Sequence, residues 1–223
     1  MKRKIYKIGL LIFLFAGGIC IWKAYKEYQP YAEAEMKYQV LQEYAVKQET
    51  DGLDRKIDFD SLKQINPDII GWLYAPQIGV DLPLLKGETD QEYLYRSYDG
   101  EENIAGALFT FADTGERLLD PHICIFGHKL QSGGMFGELD RFKDNGFLEE
   151  NNRIYLYTPE RNKELIVEET LMCAKDDAIF QNDKDWENGL EQIVTLVTCT
   201  SASSSSAERF CVNCRVDREK VIL

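Results

Sequence analysis

Eight short runs rich in β-branched and aromatic residues occupy the chain from Ile69 to Asp217, and they constrain the fold more than any other feature. They read IIGWLYAP, GVDLPLL, GALFTFA, HICIFGH, RIYLYTP, ELIVEETLMCA, IVTLVTC and RFCVNCRVD, and many are separated by Gly, Pro, Asn or Asp clusters. Eight strands of this length predict a mainly β fold, a closed barrel or a sandwich, in which few edges are left unpaired. Residues that are 44% hydrophobic and 12% aromatic supply the core such a domain needs, which excludes wholesale disorder. No internal repeat is present, and the one low-complexity piece is TSASSSSA, Thr200 to Ala207, a composition expected of a solvated loop.

The N-terminal segment has a different character. Lys2, Arg3, Lys4 and Lys7 precede fifteen uncharged, mostly apolar residues from Ile8 to Trp22. Counted from Ile5, with Lys7 snorkelling, the stretch is long enough to cross a bilayer. No A-x-A-like cleavage site follows it, and Cys20 is preceded by Ile19 rather than by the small residue of a lipoprotein signal. An uncleaved signal anchor is therefore expected, with the basic N-terminus in the cytoplasm and the bulk of the chain outside. The net charge of −12 becomes −16 for residues 8 to 223 once the four leading positive charges are set aside. So acidic a body repels phosphate backbones and argues against nucleic-acid binding.

Between anchor and strands, Met36, Val40 and Tyr44 fall four apart and predict one buried helical face. Pro30 is expected to open that helix rather than sit inside it. Asp60 or Ser61 is a candidate N-cap for a short helix through Ile65, which Asn66-Pro67 ends. The expected organisation is a tail and anchor over residues 1–25, a helical segment over 26–60 and the β domain over 61–223.

Six cysteines are present, and five lie beyond the anchor: Cys124, Cys173, Cys199, Cys211 and Cys214. An odd number leaves at least one thiol unpaired. The CVNC pair resembles half a zinc site, but strand alternation sends Cys211 and Cys214 to opposite faces, and two histidines with scattered acids offer no ligand spacing. No metal or cofactor is expected. Cys199 stands apart because it ends its strand instead of packing within it. A free thiol has little thiolate at neutral pH, so a nucleophilic Cys199 needs a base or a cation nearby. His128, which ends a strand beside a glycine-bearing loop, offers the first, and Arg209 the second. Nucleophile, proton carrier and oxyanion clamp would make the minimum set for thiol acyl transfer, although residue types alone do not bring the three together in space. His122 shares the parity of His128 on the same strand but lies about 20 Å along it, too far to serve the same cysteine.

TLVTC, the arginine ten residues after its cysteine, and FGHKLQSGGMFGEL upstream together resemble the sortases, class B in particular, as does the approach NPDIIGWLYAPQIGVDLPLLKGETDQEYLYRSYDG. The resemblance implies a closed eight-stranded barrel behind N-terminal helices and a membrane anchor, with the active site at one end, on the surface of a Gram-positive cell. It implies Cys199 as nucleophile, His128 as acid–base group and Arg209 as substrate and oxyanion clamp, and it puts Leu94 at an apolar position lining the groove. The activity implied is cleavage of an NPxTN-like C-terminal sorting signal of secreted proteins through a thioester, followed by transfer to a peptidoglycan amine. Pilin polymerisation, simple peptide hydrolysis and an inert membrane-tethered binding barrel are the alternatives. Three departures stand out. The segment before the Cys199 strand has room for one or two helical turns where relatives carry a longer insertion. Val197 replaces a polar residue found in some of them. No acidic residue directly follows Cys199.

Overall fold

The computed structural model describes residues 2–46, 51–180, 192–200 and 207–222. All eight strands expected from the sequence form, and they close into one barrel. Two short strands, β1 (Ala45–Val46) and β2 (Lys56–Ile57), pair separately ahead of it. The barrel strands are β3 (Ile69–Ala75), β4 (Val80–Lys86), β5 (Leu108–Thr110), β6 (His122–Phe126), β7 (Arg153–Tyr157), β8 (Arg161–Ala174), β9 (Ile193–Cys199) and β10 (Glu208–Val221). Their order around the barrel is β10-β8-β7-β3-β4-β5-β6-β9, and β9 pairs with β10 to close it. Closure removes the edges that eight short strands would otherwise expose. Two neighbours run parallel, β4 with β5 and β6 with β9. Consecutive parallel partners cannot be joined by a tight turn, so the long connection between β4 and β5 follows from this topology, whereas β6 reaches its parallel partner β9 only after β7 and β8.

Alternation along the strands divides their side chains between two apolar clusters. Ile123, Ile125, Val194, Leu196, Phe210, Val212 and Cys214 join the main core with Trp72, Leu73 and Leu84. The alternate positions Cys124, Val197 and Cys211, with Cys173 from β8, form a second cluster on the outer face, against Phe126, Ile179 and Phe180. Cys211 and Cys214 do point to opposite faces, as their spacing requires. A buried polar group anchors β3 to β4: the Trp72 indole donates to Asp81 at 2.7 Å, and Arg55, 4% exposed, pairs with the same carboxylate at 2.8 Å.

The N-terminal helices differ from expectation in three respects. Helix α1 runs unbroken over Lys2–Gln39 with Pro30 inside it. The carbonyl that Pro30 leaves without a donor belongs to Lys26, an exposed residue. The buried stripe is Ala34, Tyr38 and Leu41, continuing to Ala45, while Met36 and Val40 face outward at 60% and 58% exposure. The chain supports two apolar stripes, and Tyr38 decides between them by donating its hydroxyl to the Gly106 carbonyl at 2.6 Å. The short helix α2 (Phe59–Ile65) starts earlier than expected, with Asp58 rather than Asp60 or Ser61 as N-cap, accepting from the Ser61 amide, and it ends at Asn66. Among the described residues, α1 is the one helix long and apolar enough to cross a membrane, and its most apolar window is unburied by the rest of the chain.

Candidate active site

Cys199 is the last residue of β9, and Arg209 is the second of β10. The antiparallel register places them directly opposite each other, so their side chains emerge on the same, outer face of the barrel wall. Both are half-buried. They line one groove of about 440 Å³ together with His128, Leu94, Val197 and Thr198. The groove floor is aromatic, built from Phe109, Phe111, Phe126 and Phe180, and Asp90, Lys175, Asp176 and Asp177 lie along its walls. Phe126 holds this floor together, with ring centroids 5.5 Å from Phe109, 4.8 Å from Phe111 and 6.0 Å from Phe180.

His128 sits two residues beyond β6. Its Nε2 is 2.6 Å from the Leu94 carbonyl, which can only accept, so the neutral ring carries its proton there and Nδ1 keeps the lone pair. Burial pushes the His128 pKa below its ordinary value, and the bond to Leu94 partly offsets the effect. The Tyr95 ring lies against the imidazole at 5.4 Å. Leu94 thus meets the site through its backbone as well as through its place in the groove wall. Gly106 makes this contact possible. At φ +60° it occupies the left-handed region, and a Cβ there would lie 2.5 Å from the Leu94 oxygen and 3.0 Å from His128 Cδ2. Gly127 provides space in the same way, since a Cβ on it would strike Phe136 and Leu108 at 2.6 and 2.7 Å. The loop that follows is closed by a bridge between Lys129 and Met135.

The sortase domain family model matches residues 73–217, more than half of the chain and the whole stretch that carries this groove. The chain belongs to the sortase family. Sortase B of Staphylococcus aureus is 25% identical to it over 97% of this chain and 98% of its own length. A protein described as sortase A of Bacillus anthracis is 26% identical over 92% of this chain and 91% of its own. The crystal structure of sortase B from B. anthracis in complex with AAEK1 superimposes with a TM-score of 0.68 at 24% identity, covering 86% of this chain and all of that one. Taken together, the relatives support class B.

Three residues singled out in the sequence, Cys199, His128 and Arg209, therefore share one groove of this sortase, and Leu94 stands beside them. The fourth titratable candidate, His122, does not join them. It is buried on β6, and its Nε2 lies 2.8 Å from the Thr195 hydroxyl. That hydroxyl donates to Asn213 at 2.7 Å, so His122 must be the donor in its own bond. Asn213 in turn donates to Glu169 at 2.8 Å, which completes a structural chain across four strands, β6, β9, β10 and β8. Burial lowers the His122 pKa to about 4. The aromatic floor and Gly106 were not anticipated. FTF in the third strand run was a signal for the former, because two aromatics of like parity, Phe109 and Phe111, fall on one face. Two sequence features fall largely outside the described residues: positions 201–206 of the serine-rich stretch, and 181–191 of the shortened segment, which is described only as far as a 3₁₀ turn at Ala178–Phe180.

Proposed function

We propose that this sortase is a membrane-anchored cysteine transpeptidase. In this reading residues 1–25 form the tail and anchor, 26–60 the connecting helical segment and 61–223 the catalytic domain outside the cell. The observation that carries the proposal is the direct cross-strand pairing of Cys199 with Arg209 at the mouth of a groove that His128 also lines. Neutral His128 takes the Cys199 thiol proton as sulfur attacks the carbonyl carbon of a threonine in a C-terminal sorting signal. Arg209 holds the oxygen that becomes negative. The C–N bond then breaks, His128 passes its proton to the leaving amine, and the acyl group remains on Cys199 as a thioester. An incoming amine, from a peptidoglycan precursor, attacks the thioester, gives its proton to His128, and leaves Cys199 free again. The apolar floor and Leu94 receive the signal's side chains, and an NPxTN-like motif is the expected class.

The test is the intact mass of the full chain in detergent after incubation with a panel of sorting-signal peptides, with and without a small amine. An acyl adduct on Cys199, absent in Cys199→Ala and resolved into an amine-linked product, is the expected result. An adduct that goes only to water would replace transpeptidase by peptidase. No adduct with any peptide on reduced Cys199 would leave the groove as a binding surface.

A further inference from the structure

Beneath the groove lie three buried thiols that the proposed reaction does not use, Cys124, Cys173 and Cys211. Cys173 and Cys211 stand on neighbouring strands: Cys173 is paired with Arg209, and Cys211 with Leu171, so the two cysteines are diagonal neighbours on one face. Their sulfurs are 2.7 Å apart, closer than two unbonded sulfurs rest and within about 0.7 Å of a disulfide's ~2.05 Å bond. We propose that Cys173 and Cys211 form a disulfide, which staples β8 to β10 beside Arg209.

The other thiols are poorer partners. Cys214 points into the barrel core. Cys124 on β6 is separated from β10 by β9, a Cα spacing of about 10 Å at ~4.8 Å per strand and beyond the ~7 Å a disulfide spans. Cys199 is the competitor that matters. Cys211 is paired with Val197 on β9, so Cys199 is its diagonal neighbour on the other flank. A bond to Cys173 withdraws Cys211 from Cys199 and keeps the groove thiol free. This protective role rests on Cys199 being the nucleophile, whereas the bond itself does not.

The chemistry is two thiol–disulfide exchanges with a low-molecular-weight disulfide. One thiolate of the pair attacks the oxidant's sulfur and releases one thiol, and the second thiolate then attacks the mixed disulfide and releases the other. Two electrons and two protons pass from the pair to the oxidant. Burial pushes both thiols up, so exchange belongs to folding, before the cluster closes over them.

The experiment takes the full chain in detergent, isolated without reductant, with free thiols blocked at lysis, and maps its peptides. A parallel sample is unfolded and refolded with oxidised and reduced glutathione before blocking. A peptide pair joined through Cys173 and Cys211, lost on reduction together with a fall in Tm of roughly 5–15 °C, is expected. Full alkylation of both cysteines in both samples, or a bond from Cys211 to Cys124 or Cys199 instead, would overturn the proposal. In Cys173→Ser treated the same way, Cys211 is expected to capture Cys199. If Cys199 remains alkylatable there, the protective role falls while the bond stands.

Discussion

Gly106→Ala tests how the fold positions His128. The new Cβ would begin 2.5 Å from the Leu94 oxygen, so that carbonyl must retreat by about 0.9 Å to reach ordinary contact at 3.4 Å. His128 would then lose its 2.6 Å acceptor or follow it out of place. Misplacing a reacting group by about 1 Å costs on the order of 10²-fold in rate, and a non-glycine residue in the left-handed region costs a further ~1–2 kcal/mol of stability. The expected variant is therefore folded, less stable, and slower in acylation by roughly 30- to 100-fold. Gly100→Ala separates the two effects, because Gly100 also has positive φ, +81°, but a Cβ there meets nothing within 4 Å. It carries the backbone strain without touching His128. Intact-mass measurement of thioester formation, well below the Tm of either variant, reads the rate, and calorimetry reads the stability. Acylation by Gly106→Ala within about threefold of Gly100→Ala would refute the claim that this close approach positions the histidine.

Three further outcomes are expected. His122 is neutral in the folded state, with a pKa lowered to about 4 from 6.5, so below pH 6.5 the unfolded chain binds its proton first and stability falls as pH drops toward 4. The loss is at most about 3 kcal/mol; His122→Gln should show a flatter Tm between pH 6.5 and 4.5, and parallel curves would exclude the linkage. Arg209→Ala should reduce acylation by about 10²–10³ with Tm nearly unchanged, and Arg209→Lys should recover part of it; equal activity of all three would remove Arg209 from the oxyanion role. Asp81→Ala strands the buried Arg55 charge and the Trp72 indole, costing about 3–5 kcal/mol, visible as a Tm fall of roughly 10 °C or more while activity survives at low temperature.

What could be read from the sequence, and what could not, divides by how local the determining interaction is. Each barrel strand announces itself within a few residues, because β-branched and aromatic side chains must cover one or both faces wherever it lies. Cys199 announces itself in the same way, as a thiol where a run stops. Which strand neighbours which is another matter. The parallel pairing of β6 with β9 brings the strand leading to His128 beside the one ending at Cys199, and no pattern within either strand encodes it. The phase of α1 failed for a related reason. Met36, Val40 and Tyr44 make as good an apolar stripe as Ala34, Tyr38 and Leu41, and the choice rests on a carbonyl at Gly106, 68 residues away. That same glycine admits the Leu94 carbonyl to His128, so the face on which α1 docks and the nitrogen on which His128 holds its proton converge on one residue without a side chain. A perturbation of α1 packing, such as Tyr38→Phe, therefore acts on the backbone that positions the histidine, although no α1 residue lines the groove among the described residues.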